Sequence, residues 1–278
     1  TIDINDYQDA VEREQRLADI LERPVRVTWI LLAVNVLIWA AGFVYGQVGL
    51  GISDVPASAE QLALYPGIKV NELVYQGQWW RLVSSQYVHL GLMHILFNGY
   101  GLYVLGPILE KAYGPRRFFV LYLASGTVGA LASFLFTEGA SGGASGAIYG
   151  LVGALLVFGW KYRDELPERI SRSFTKGLMP WVVFSLAIGF LDFLPMDNAA
   201  HIGGLVGGGV IVSLMASIVK GRRSRLTDGL VTVLVVIGLA ALGWTAVEWV
   251  QESMQCLGGA DAFRACYPDL IDKLNAPR

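Results

Sequence analysis

Seven stretches of this chain run apolar for about the thickness of a bilayer, and polar, charge-bearing segments separate them. They lie at about residues 28–47, 90–109, 118–137, 145–160, 177–195, 201–219 and 229–250. A helix that crosses the hydrocarbon needs roughly 20 such residues. Each stretch therefore reads as a membrane-spanning helix. The last is the cleanest, with no charge across residues 229–247. The fourth is short, and the fifth contains Pro180 and Asp192, which loosens its ends. One buried helix of a soluble protein can imitate a span, but seven in a chain this small do not.

Composition agrees with the pattern. Of 278 residues, 54% are hydrophobic and only 16% charged, against about a quarter charged in soluble domains. Mean hydropathy is +0.49. Disorder and an ordinary water-soluble globule are both disfavoured. Seven spans take up about 140 residues, so no large soluble domain remains. A net charge of −2 argues against a nucleic-acid partner. Two cysteines are too few for a disulfide scaffold or a Cys-rich metal site. Residues 1–23 are polar and precede no small-residue cleavage site, so no signal peptide is expected.

The basic residues set an orientation. One side collects Arg13, Arg16, Arg23 and Arg26, then Lys111, Arg116 and Arg117, then Lys161, Arg163, Arg169, Arg172 and Lys176, then Lys220, Arg222, Arg223 and Arg225. That is 16 of the 21 Lys and Arg. Lys69, Arg81, Arg264, Lys273 and Arg278 fall on the other side. The positive-inside rule then places the N-terminus in the cytoplasm and the C-terminus outside. The organisation expected is a cytoplasmic arm over 1–27, a six-helix core over 28–219, a cytoplasmic linker and seventh transmembrane helix over 220–250, and an extracytoplasmic tail over 251–278. Cys256 and Cys266 lie in an oxidising compartment on this topology, where a disulfide is favoured. The arm has helical spacing, with Val11, Leu17, Ile20 and Leu21 toward one face, and Pro24 ends it. It reads as a short solvated helix.

Ionisable residues inside spans are costly and mark function. The chain has three histidines, His89, His94 and His201. His94 lies 16 residues before Glu110, Ser145 16 before Lys161, and His201 19 before Lys220. At about 1.5 Å per residue these are heights of roughly 24, 24 and 28 Å above the inner edge. A serine and two histidines thus share one depth, near the outer side. Serine alone is a poor nucleophile, and a neutral imidazole within hydrogen-bond reach can take its proton. The oxyanion that develops needs fixed donors. His94 and Asn98 are four apart, on one helical face, and the Ser145 backbone N–H offers a third donor. Gly142 and Gly143 before Ser145, with Gly146 after it, allow a tight turn there. Gly204 and Gly208 form a GxxxG face that lets the His201 helix pack closely on the Ser145 helix.

These residues resemble the rhomboid family of intramembrane serine proteases. Gly143, Ser145 and Gly146 match its GxSG nucleophile motif, and Tyr149 the tyrosine that packs on the catalytic histidine. His94 and Asn98 match its HxxxN oxyanion motif. Ala200, His201, Gly204 and Gly208 match the AHxxGxxxG motif that carries the base. Trp80 and Arg81 match the WR pair of the first external loop, and Glu110 and Gly114 the motif closing the second span. The matches keep family order from Trp80 to Gly208.

The resemblance implies an all-α polytopic bundle, a six-helix core plus a C-terminal seventh helix, in a bacterial inner membrane. It implies a serine endopeptidase with a Ser145–His201 dyad and no metal, cofactor or third acid. Its partners would be the lipid bilayer and single-span membrane proteins, cut near the outer face. Ser141 also stands in a GASG run, but only Ser145 has a tyrosine four residues on. Asp197, four residues before His201, reads as a helix cap rather than a triad acid. His89 reads as structural. Trp79, Trp80 and Tyr87 read as an interfacial aromatic belt that also frames the core. Arg81 is left between an internal partner and lipid headgroups. A catalytically dead relative would have lost Ser145 or His201. A transporter would carry polar residues along the inner half of the helices, which here is apolar. No HExxH or GxGD motif occurs for a zinc or aspartyl protease.

Overall fold

A computed structural model describes residues 4–44, 67–191, 196–215, 225–256 and 265–266. Within them α1 (Ile4–Leu21) and α2 (Val27–Val44) come first. The first loop carries β1 (Lys69–Val70), α3 (Asn71–Tyr75), α4 (Arg81–Ser84) and a 3₁₀ turn (Ser85–Tyr87). Then follow α5 (Leu92–Tyr113), α6 (Pro115–Phe136), β2 (Ala140–Ser141) and α7 (Ser145–Lys161). Next come α8 (Glu168–Arg172), a π-helical turn (Ser173–Gly177), α9 (Met179–Ile188), α10 (Asn198–Leu214) and α11 (Arg225–Cys256). The fold is the expected all-α bundle apart from one antiparallel pair, with Lys69 opposite Ser141 and Val70 opposite Ala140.

Among the described residues four helices are long and apolar enough to cross a membrane: Val27–Val44, Leu92–Tyr113, Pro115–Phe136, and Gly229–Glu248 within α11. Ser145–Lys161 and Asn198–Leu214 are apolar but shorter. The short pair forms the centre. Residues 146–155 of α7 are all buried, which requires neighbours on every side of the helix. α10 packs along α7 and α6, and α11 lies against α6 and α4. The outside of the bundle is apolar instead of polar. Phe97, Val183, Val236 and Leu37 are all more than 60% exposed. Such a belt is stable against lipid and not against water. The chain is an integral multi-pass membrane protein.

Charged side chains tie helix ends together. The Glu110 carboxylate, 1% exposed, accepts from the backbone N–H groups of Arg26, Val27 and Thr28 at 2.8–2.9 Å and from the Thr28 hydroxyl at 2.7 Å. These are the N–H groups that the start of α2 leaves without helical partners. Lys161 Nζ donates to the carbonyls of Ser213 at 2.8 Å and Met215 at 3.1 Å. A cation is thus held at the C-terminal end of α10, where the helix dipole favours it. Both residues served above as markers of the water edge. Glu110 is instead a buried cap.

Three expectations change. The fifth helical run begins at Glu168, not near residue 177, and is helical through to Ile188. Pro180 has no N–H to give the carbonyl four residues back, and the π turn at Ser173–Gly177 takes up that fault. Its expected end at residues 192–195, with Asp192, lies outside the described residues, as do 45–47, 216–224 and most of the tail. Lys220, Arg222, Arg223, Arg264, Lys273 and Arg278 lie outside them too. Second, α1 ends where Pro24 predicts but is not simply solvated. Ile20 joins the core, Leu21 points out, and Lys111 Nζ donates to the Leu21 carbonyl at 2.6 Å. Third, Trp79 alone of the three aromatics is exposed; Trp80 and Tyr87 are buried. Among the described residues Cys266 is disulfide-bonded.

Candidate active site

Two helix beginnings meet toward one end of the bundle. Ser145 is the first residue of α7 and His201 lies in the first turn of α10. The Ser145 hydroxyl and His201 Nε2 are 2.9 Å apart. Glycines permit this approach. A Cβ on Gly204 would overlap the Gly146 carbonyl, and one on Gly208 the Gly150 carbonyl. On the opposite side of α10, a Cβ on Gly207 would stand 3.0 Å from Val128 of α6. Without side chains at these positions the two backbones touch.

The imidazole of His201 is 3% exposed. The Tyr149 ring stacks on it, with centroids 4.2 Å apart and planes at 10°. The Tyr149 hydroxyl donates to Ser185 Oγ of α9 at 2.7 Å. His201 Nδ1 has no hydrogen-bond partner. Asp197 therefore does not orient the ring as a third acid. It caps α10 and accepts from Ala200 N–H at 3.0 Å.

His94 and Asn98, on α5, face the turn that precedes Ser145. Gly143 sits there at φ +118°, a conformation that favours glycine. A Cβ on it would lie 2.5 Å from His94 Nε2 and 3.4 Å from Asn98 Nδ2. The Leu90 N–H donates to His94 Nδ1 at 3.3 Å. That assigns the remaining proton of a neutral ring to Nε2, the nitrogen directed at the turn. Asn98 Nδ2 is buried with no partner. The first N–H groups of α7, Ser145 included, have no partner within the helix. Asn98 Nδ2 and His94 Nε2 thus lie against the turn that leads into Ser145.

His89 matters more than its sequence position indicated. Its ring is 3% exposed. Ala144 N–H donates to its Nε2 at 3.3 Å, so its proton sits on Nδ1, 3.1 Å from the Tyr87 carbonyl. Gly143 N–H donates to the Ser85 carbonyl at 2.8 Å. Loop one thus holds the two residues before Ser145. Burial first, and neighbouring His94 second, bring the His89 pKa down to about 3, so the ring is neutral at pH 7.

Arg81 is resolved as internal. It is 1% exposed, donates to the Ile68 carbonyl at 2.8 Å and to Gln78 Oε1 at 2.6 Å, and lies over the Trp80 ring. Trp80 and Arg81 build loop one and are not part of the serine–histidine constellation. Lys69 went unnoticed in the sequence. It is fully buried and donates to Asn71 Oδ1 at 2.8 Å, and to the Gly139 and Thr137 carbonyls at 3.2 and 3.3 Å. Burial brings its pKa down to about 8, against the pull of Asp197 and Glu72.

A serine hydroxyl in hydrogen-bond contact with an imidazole inside an apolar bundle narrows the class, and comparison with known proteins gives the family. The Rhomboid domain model matches residues 76–218. The chain is 35% identical over 181 residues to "Rhomboid protease GluP" of Bacillus subtilis, covering 65% of this chain and 33% of that protein. It is 31% identical over 218 residues to "RHOMBOID-like protein 5" of Arabidopsis thaliana, covering 66% and 68%. It is 39% identical over 131 residues to "Rhomboid protease GlpG" of Serratia proteamaculans, covering 46% and 45%. The chain belongs to the rhomboid family. It spans a third of the length of the Bacillus GluP and under half of the Serratia GlpG.

Proposed function

We propose that this protein is an intramembrane serine endopeptidase that hydrolyses peptide bonds in or near the transmembrane segment of single-span membrane proteins. The observation that carries the reading is the 2.9 Å contact between Ser145 Oγ and His201 Nε2 inside an apolar bundle. His201 takes the Ser145 proton as the hydroxyl attacks the carbonyl, then delivers it to the leaving amine. Asn98 Nδ2, His94 Nε2 and the Ser145 N–H receive the oxyanion. Tyr149 holds the imidazole in plane, and no acid assists it. Gly143, Gly146, Gly204 and Gly208 give the close approach, while Trp80 and Arg81 support loop one. No metal, cofactor or nucleic acid takes part.

Substrate enters sideways from lipid between α5 and α9. Val182 is the one buried residue of α9, so this helix separates more easily than its neighbours. The basic-residue count orients the N-terminus to the cytoplasm and the C-terminus outward, in a bacterial inner membrane. The arm (1–27), core (28–219), linker with seventh helix (220–250) and tail (251–278) are its parts. A fluorophosphonate probe tests the nucleophile. It should label the wild type and not Ser145→Ala; equal labelling of both would reject the reading.

A further inference from the structure

Asp197 joins the start of α10 to the end of α6, where the connection into α7 begins. Its Oδ1 accepts from Ala200 N–H at 3.0 Å and from the Thr137 hydroxyl at 3.0 Å, and its Oδ2 from the Ser133 hydroxyl. A carboxylate has about four acceptor sites, and here three donors use them. Ala200 belongs to α10, one residue before His201. Ser133 and Thr137 lie at the end of α6. Ser141 is on β2, four residues before Ser145, and pairs with Lys69. The Lys69 ammonium adds bonds to the Thr137 and Gly139 carbonyls on the far side.

We infer that Asp197 is a positioning residue that sets the distance and angle between Ser145 and His201 by clamping the start of α10 to the end of α6, where the connection into α7 begins. The inference rests on the proposed dyad. Two observations make such a clamp necessary. The first is the vacant Nδ1 of His201, which leaves no acid to orient the base from behind. The second is that the contact below the site is backbone on backbone at Gly204 and Gly208, with no side chain there to set the register of α10 along α7. Glycine contact fixes how close the helices come, and the carboxylate fixes where along the groove they stop.

The test separates a clamp from a cap. Asparagine is as good an N-cap as aspartate, so Asp197→Asn keeps the Ala200 bond, but its one accepting oxygen cannot serve two hydroxyls as well. Full-length protein in lipid nanodiscs is assayed on a fluorogenic transmembrane substrate. Asp197→Asn should keep its melting temperature and KM but lose about 10-fold or more in kcat, since misplacement by about 1 Å can cost 10²-fold. Ser133→Ala and Thr137→Val leave the cap intact, and each should give a smaller loss in kcat alone. Wild-type kcat in Asp197→Asn, or a loss of kcat that only tracks loss of melting temperature across the three variants, overturns the clamp. Fluorophosphonate labelling keeps the two readings apart. An unlabelled wild type sinks the serine mechanism. A labelled wild type with equally fast labelling of Asp197→Asn sinks the clamp alone.

Discussion

At the scale of residues, the account turns on polar atoms whose partners are missing or chosen. Asn98 Nδ2 has no partner in the resting site, and a buried donor left unpaired costs stability. That expense is explained if an oxyanion arrives to accept from it. Asn98→Ala should therefore lower kcat by about 10²–10³ with little loss of stability, as read by substrate cleavage beside thermal unfolding. Unaltered turnover would remove Asn98 from the mechanism. His89 makes a prediction about pH. Its folded pKa is about 3 against an ordinary 6.5. Between those values the unfolded chain takes up a proton that the folded chain refuses, so stability from this residue falls as pH drops from 6.5 toward 3. His89→Gln, whose amide oxygen can still accept from Ala144 N–H, should flatten that part of the slope in melting temperatures taken at pH 7 and pH 4. Identical slopes would count against it.

Sequence showed some of these residues and hid others. Ser145, His94, Asn98 and His201 stood out because polar groups at one depth of an apolar helix are rare. Lys69, Asn71 and Ser133 did not, and Ser141 did only as a second GASG serine, because their contacts cross from one segment to another. No periodicity within an element records such contacts. Arg81 was ambiguous for the same reason: its partners, the Ile68 carbonyl and Gln78, lie in a loop with no repeating pattern.

At the scale of elements, helix type was legible and helix ends were less so. The cores of α2, α5, α6, α7, α10 and α11 fall where the apolar runs predict, because hydrophobic length decides them. The fifth run starts earlier than predicted, since the charges at Glu168, Arg169 and Arg172 read as loop while the backbone there is helical. Packing at α10 was legible through its glycines, and its cost can be measured. A methyl group on Gly208 meets Gly150 backbone rather than a side chain that could turn aside. α10 cannot retreat, because Val128 stands against Gly207. Gly208→Ala should destabilise the bundle by about 1–3 kcal/mol, measured by denaturant titration in detergent, and should slow fluorophosphonate labelling as well. Glu110→Ala leaves three N–H groups of α2 without acceptors. It should cost about 2 kcal/mol or more, whereas Glu110→Gln, which keeps one accepting oxygen, should cost less.

At the scale of the whole molecule, a hydrolytic site has to be kept wet and rigid inside a lipid-facing bundle. The rigid part is α6, α7 and α10, joined through glycine contacts, with loop one braced across the top by Lys69, Arg81 and His89. The loosely held part is α9, which touches the site through Tyr149 and Ser185. If substrate enters there, a disulfide joining α9 to α5 should abolish cleavage of a transmembrane substrate yet spare labelling by a small fluorophosphonate. Loss of both would show a distorted site, and loss of neither another route. α11 packs on the opposite flank, against α6 and α4, and leaves that opening clear.

The central claim is that Ser145 and His201 together cut a transmembrane chain within the bilayer. Purified protein reconstituted with a single-span substrate in proteoliposomes tests it most directly, with the products mapped by mass spectrometry. Wild type should release two fragments divided near the outer end of the span, and Ser145→Ala and His201→Ala should release none. Fragments of the same mass from either variant would contradict the account.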